Sequence, residues 1–198
     1  GVGNVDFFDL HYKNAAFKQT HNVSLTGGGE KAQYYISGGM YKEDGILRYA
    51  DIDYKRFNFN ASINSKLTDW LKLKVNTKFM NSDSNSPFGT GAYTEGFYHN
   101  LARFRPTISV VDPNGNFTEM SMIPYLQSGT NANTRMNNLT MTGGLELNPI
   151  KDWFIFFDYT YRYNTTDYWA LNVPPSIPEA DGETYTVATN RTANGELG

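Results

Sequence analysis

The sequence predicts an all-β fold, an antiparallel transmembrane β-barrel segment of about six strands. Polar and apolar residues alternate strictly over stretches as long as Phe57–Leu67. Two tight hairpin turns, "NSKLTDW" at 64–70 and "LNPIKDW" at 147–153, each end on Asp-Trp. Between those hairpins lies a long stretch, 82–136, in which the alternation disappears.

Residues 1–19 are weakly periodic, and "DFFDLHYKNAAFKQ" reads as a short helix or an irregular lead-in. A first strand follows at 20–27, with His21, Val23 and Leu25 opposite Asn22, Ser24 and Thr26. Gly27–Gly29 break the chain, and a second strand runs over 31–42 to the turn signal "EDG". The third strand, 53–67, sets Phe57, Phe59, Ala61, Ile63 and Leu67 against Asn58, Asn60, Ser62, Asn64 and Lys66. The fourth, 70–81, sets Leu71, Leu73, Val75, Thr77 and Phe79 against Lys72, Lys74, Asn76 and Lys78. A period of two marks strands, because a helix scatters such residues around its circumference.

In the region that follows, "NSDSNSPFGTG" reads as loop, "TEGFYHNLARF" as a short helix and "DPNG" as a turn. Alternation returns at 137–148, with Leu139, Met141, Leu145 and Leu147 opposite Thr140, Thr142 and Glu146. The sixth strand, 152–164, sets Trp153, Ile155, Phe157, Tyr159, Tyr161 and Tyr163 against a face that includes Asp158, Thr160 and Arg162. "VPPSIPEADG" is again loop.

Strand length favours the membrane reading. Ordinary strands cluster near five or six residues. The eleven residues Phe57–Leu67, tilted by about 45°, span about 26 Å, close to the apolar band of an outer-membrane barrel. Short turns at one end and a long loop at the other fit the same architecture. Aromatic rings near strand ends, such as Trp70, Phe79, Trp153, Tyr161 and Tyr163, suit a headgroup layer. A soluble all-β domain with one buried face also explains the alternation and is the competing reading.

Composition narrows the function. The 198 residues carry 14 Tyr and 13 Phe, a net charge of -3 and no cysteine. That balance offers no basic surface for nucleic acid, and it excludes disulfides and thiolate chemistry. No apolar run approaches the roughly 20 residues of a membrane helix. The start "GVGNVDFF" and the end "ANGELG" read as those of an internal piece.

"HNVSLTGGGEKAQYYISGGMYKEDGIL" and "DYKRFNFNASINSKLTDWLKLKVNTKF" resemble the SusC/RagA family of TonB-dependent outer-membrane transporters of Bacteroidetes, and "LTMTGGLELNPIKDWFIFFDYTYRY" resembles the following hairpin. The resemblance covers most of 20–165. It implies a barrel of 22 strands, a separate plug, a TonB box, and a SusD-like surface lipoprotein as lid. It also implies glycan or peptide uptake: oligosaccharides or peptides as substrates, outer-membrane lipid around the barrel, and contact with the TonB complex through an N-terminal part outside this chain. The implied location is the bacterial outer membrane, crossed several times. The implied organisation is a lead-in at 1–19, a partial receptor barrel at 20–165 with a long extracellular loop 82–136, and the start of the next extracellular loop at 166–198.

On that reading Phe57, Phe59, Ile63, Leu71, Leu73, Val75, Ile155 and Phe157 face lipid. Lys72, Lys74, Lys78, Asp158 and Arg162 face the lumen. The loop aromatics Tyr93, Phe97, Tyr98, Phe104 and Tyr125 are the candidates for substrate contact, since flat rings suit sugars and apolar peptide groups. No catalytic residues and no cofactor are expected. His11, His21 and His99 lack ligand-like spacing, and "NSDSNSP" lacks the closing Glu of a calcium loop, so no metal site is assigned. Aspartates 44, 83 and 112 read as turn residues. A soluble carbohydrate-binding or adhesion domain remains the alternative function. A glycosidase is disfavoured, because no spacing forces a pair of carboxylates together.

Overall fold

The computed structural model describes residues 4–87, 92–178 and 183–186. Six long strands form one antiparallel sheet in chain order: β1 (Lys18–Gly28), β2 (Ala32–Asp44), β3 (Asp53–Lys66), β4 (Leu71–Ser86), β5 (Asn131–Leu147) and β6 (Ile155–Leu171). A small second sheet pairs β7 (Ser176–Pro178) with β8 (Thr184–Thr186). Helices α1 (Phe7–His11), α2 (Ala92–Leu101) and α3 (Ile123–Gln127), with a 3-10 turn at Glu119–Ser121, lie in the segments outside the sheet.

The register confirms the two-faced pattern. Phe57 pairs with Met40 and Asn81, Ile63 with Tyr34 and Val75, and Leu73 with Leu145. Leu145 pairs in turn with Phe157. These residues therefore share one face. The other carries Asn22, Ser37, Asn60, Lys78, Thr140 and Arg162. The apolar face is largely uncovered, with Val23 75%, Ile63 48% and Phe157 58% exposed.

The sheet is open. β1 and β6 are its two edges and do not pair with each other among the described residues. This corrects the expected transmembrane β-barrel segment. A membrane-crossing sheet must close, because free edges leave backbone amides and carbonyls unpaired in hydrocarbon. The transmembrane strands and the multi-pass outer-membrane placement of this chain fall with the closed barrel. No helix among the described residues is long and apolar enough to cross a membrane.

Three strands also run further than the alternation suggests. β4 continues to Ser86, β5 starts at Asn131 and β6 ends at Leu171. β6 ends on Tyr168, Trp169, Ala170 and Leu171, which put large or apolar side chains on both faces. In the β4 and β5 extensions both faces carry polar residues, so the hydropathy pattern vanishes while the backbone ladder continues. Side chains reinforce it: the Asn81 amide donates to Asn137 Oδ1 (2.7 Å), and the Asn133 amide lies within bonding distance of both Asp83 (2.6 Å) and Asn85 (2.7 Å). Asp83 is thus a strand residue and not part of a turn.

The two short turns are built as the sequence suggests and touch each other. In the first, the Leu67 amide donates to the Leu71 carbonyl (2.9 Å), and Lys66 pairs with Asp69 (2.8 Å). The Asn148 amide then donates to the Trp70 carbonyl (2.7 Å), joining the second turn to the first.

Candidate functional site

The segments outside the sheet fold into a loop platform with its own core. Asp6 caps α1, its carboxylate accepting from the amides of Phe8 (2.9 Å) and Asp9 (3.1 Å). The Phe7 side chain then packs with Leu47, Phe97, Leu101 and Leu126, and Phe104 and Ile108 lie against that cluster. Backbone bonds tie the lead-in to the platform: the Val5 amide donates to Pro106 (3.0 Å) and the Arg48 amide to His11 (2.8 Å). Met122, at φ 60, is the hinge residue between the 3-10 turn and α3.

Beside this core is a cleft of about 490 Å³. Its walls come from the Gly115–Phe117 turn, from Pro124, Gln127 and Ser128 on and after α3, and from Val173, Pro174 and Ser176 after β6. The Thr130 hydroxyl joins the two walls, donating to the Val173 carbonyl (3.0 Å) and accepting from the Val173 amide (2.9 Å). The lining holds apolar rings and methyls with neutral amides and hydroxyls and has no ionisable side chain. Such a surface suits a neutral ligand that presents hydroxyl or amide groups beside apolar patches.

The expected contact residues fall at different depths. Tyr98 is 47% exposed, and burial of its inner part pushes the phenol above its usual range, with Tyr12 adding to the effect. It therefore presents a neutral hydroxyl at physiological pH. Tyr125 lies on α3, its hydroxyl donating to Glu119 (2.7 Å). Phe104 is half-buried against the platform core. Phe97 is only 1% exposed and is itself part of that core. Tyr93 lies on α2, and its side chain is outside the described residues.

A second recess, of about 530 Å³, crosses the polar face of the sheet. Asn22, Ser37, Asn58, Asn60, Asn138 and Thr140 line it with amides and hydroxyls, and Lys78 adds an ammonium group. Lys72 and Lys74 share this face but bind Glu146, at 2.8 and 3.1 Å. The Lys72 ammonium, helped by Lys74, holds the Glu146 carboxyl below its usual range. Asp158 and Arg162 are on the same face, on the edge strand β6. The eight residues expected to face lipid all share the opposite face, as the register places them.

Sequence reasoning did not find the cleft. Phe117, Gln127 and Val173 lie in separate stretches without periodicity, and only folding brings them together. His11 was also missed as a buried residue; it is 0% exposed. A helical spacing of four from Phe7 is the one local signal that it faces inward.

No family model matches the chain. Among curated proteins, the TonB-dependent receptor SusC of Bacteroides thetaiotaomicron is 34% identical over 116 residues, 57% of this chain and 11% of that protein. The TonB-dependent receptor P26 of Formosa agariphila is 25% identical over 162 residues, 77% of this chain and 15% of that protein. Among solved structures, the RagAB peptide importer in its closed-closed state matches 86% of this chain and 20% of its own, at 18% identity and a TM-score of 0.68. The chain thus spans 11% and 15% of the lengths of these two receptors. The relatives are receptors and importers, a non-catalytic class, in agreement with the expectation of no enzymatic activity. The chain is a low-identity relative of the SusC/RagA-type TonB-dependent transporters.

Proposed function

We propose that this chain is a ligand-contacting portion of a SusC/RagA-type TonB-dependent transport system, whose loop platform meets an oligosaccharide or peptide during import. The uncharged cleft between the Phe117 turn, α3 and the segment after β6 is the observation that carries this reading. Tyr98 offers a half-exposed ring and a neutral hydroxyl on the same platform. The family-level link supports a transport context, with a SusD-like lipoprotein covering the platform and a TonB complex supplying energy through other parts of the system.

The open sheet favours a second reading, an all-β carbohydrate-binding or adhesion domain acting without transport. Its polar face, rich in Asn, Ser and Thr, then forms the binding surface.

Isothermal titration of the purified chain against neutral oligosaccharides and short peptides tests both. Under the first reading Gln127→Ala and Tyr98→Ala each weaken binding about tenfold, or about 1.4 kcal/mol, and Asn60→Ala does not. Under the second the pattern reverses. Binding of neither ligand class sinks both.

A further inference from the structure

The two faces of the sheet carry different charge. On the polar face the register sets Lys18, Arg56, Lys66, Lys72, Lys74, Lys78 and Arg162 against the carboxylates of Glu43, Glu146 and Asp158. The surplus there is positive, although the whole chain has a net charge of -3. Several of these cations are already engaged. Lys66 pairs with Asp69, and Lys72 and Lys74 share Glu146. Lys18 lies over the Tyr41 ring at 5.1 Å, and the Tyr41 hydroxyl donates to Glu43. Asp158 stands in the row of Lys74, across Gly144.

Lys78, Arg162 and Arg56 have no carboxylate within ion-pair distance among the described residues. All three stand in or beside the recess of about 530 Å³ on this face. Lys78 lines it, and Arg162 lies in the same transverse row, beyond Thr140. Arg56 follows Asn58 on the same face of β3; its Nε is buried without a hydrogen-bond partner, and its guanidinium meets the Tyr41 ring at 5.4 Å.

We infer that this recess binds an acidic oligosaccharide, one whose rings carry carboxylate or sulfate groups. Lys78 and Arg162 stand two strands apart, about 10 Å at ordinary strand spacing. A chain of sugar rings laid across the strands meets them with acidic groups on separate rings. Between the cations the floor is neutral: Ser37, Asn60 and Thr140 offer hydroxyls and an amide to ring hydroxyls, and Tyr35 offers a flat ring at the border. Gly39 keeps the floor low, since the Asn22 amide oxygen occupies the place of a Cβ there. An extended acidic peptide fits less well, because carboxylates on one side of it repeat at about 7 or about 13 Å. The recess is separate from the uncharged cleft beside α3. This ligand class rests on the reading of the polar face as a carbohydrate-binding surface and adds an acidic requirement to it.

Isothermal titration of the full chain at low salt compares three probes: hexamers of galacturonate, of neutral α-linked glucose and of glutamate. The galacturonate hexamer should bind at least about tenfold more tightly than the other two, and added salt should weaken it. Lys78→Gln and Arg162→Gln should each weaken it about fivefold. Lys72→Gln removes the same charge from the same face but leaves Glu146 its Lys74 partner, so binding should change by less than about twofold. Equal affinity for the neutral hexamer overturns the acidic requirement and leaves the carbohydrate-binding reading standing. Equal affinity for the glutamate hexamer overturns the glycan assignment in favour of an acidic peptide. A Lys72→Gln loss as large as that of Lys78→Gln overturns the recess as the site, since a diffuse field then does the binding. Binding of none of the three overturns the inference together with the polar-face reading. Should a variant fail to fold, side-chain amide spectra of the unaltered chain decide: galacturonate must shift Asn58, Asn60 and Asn138, and shifts confined to other residues overturn the site.

Discussion

Arg135 on β5 and Asp83 on β4 face each other, with guanidinium Nε and an η nitrogen at 3.0 and 2.9 Å from one carboxylate oxygen. The other oxygen accepts from the Asn133 amide at 2.6 Å. The pair is partly exposed, so Arg135→Ala should cost only about 0.2–1 kcal/mol. Asp83→Ala removes the shared acceptor of both neighbours and should cost about 1–2 kcal/mol. Chemical denaturation of the single and double variants measures this, and a coupling energy near zero would show that the strand extension does not depend on the pair.

The turn between β1 and β2 separates two adjacent glycines. Gly28 sits at φ +146, and an added Cβ there meets the Ala32 carbonyl. Gly28→Ala should destabilise by at least about 1 kcal/mol. Gly29 has no positive φ, and a Cβ on it meets open space. Gly29→Ala should be neutral or stabilise by about 0.4–1 kcal/mol, by restricting the unfolded chain. Equal thermal shifts for the two variants would refute this assignment of the turn.

Glu146 is held ionised by Lys72 and then Lys74. Its carboxyl lies below the ordinary value, so its stabilising contribution is complete above that value and is lost as pH falls through the lower, folded one. A carboxyl-carbon NMR titration should place the Glu146 midpoint below that of a free glutamate. Lys72→Ala with Lys74→Ala should return it upward. A midpoint unmoved by the double variant contradicts the pairing.

The apolar face carries Phe57 at 46%, Ile63 at 48% and Phe157 at 58% exposure. So large an uncovered patch drives self-association in water. Replacing all three with Thr keeps β-forming residues on the strands while removing apolar surface. Light scattering after size exclusion should show a larger monomer fraction, with the β signal in circular dichroism unchanged. A variant that associates as strongly as the parent would place the sticky surface elsewhere, such as the β1 or β6 edge.

Much of the sheet was legible because strand alternation is a local property. Phe57 and Asn58 point to opposite faces whatever their neighbours do. The two Asp-Trp turns likewise follow from the short spacing between apolar runs. The strand ends were less legible: Asn81–Ser86 reads as loop because both faces are polar there, yet the ladder to 132–137 carries it on.

By itself, then, the sequence determined six antiparallel strands, their two faces and their hairpin turns. Tertiary structure decided what no local pattern encodes. Whether β1 meets β6 depends on pairing between distant strands, and here the sheet stays open. The Lys72–Glu146–Lys74 cluster exists only through the β4–β5 register. The burial of His11 against the Ser121 carbonyl joins residues 110 positions apart, and the cleft brings the Phe117 turn together with Val173 and Ser176 after β6.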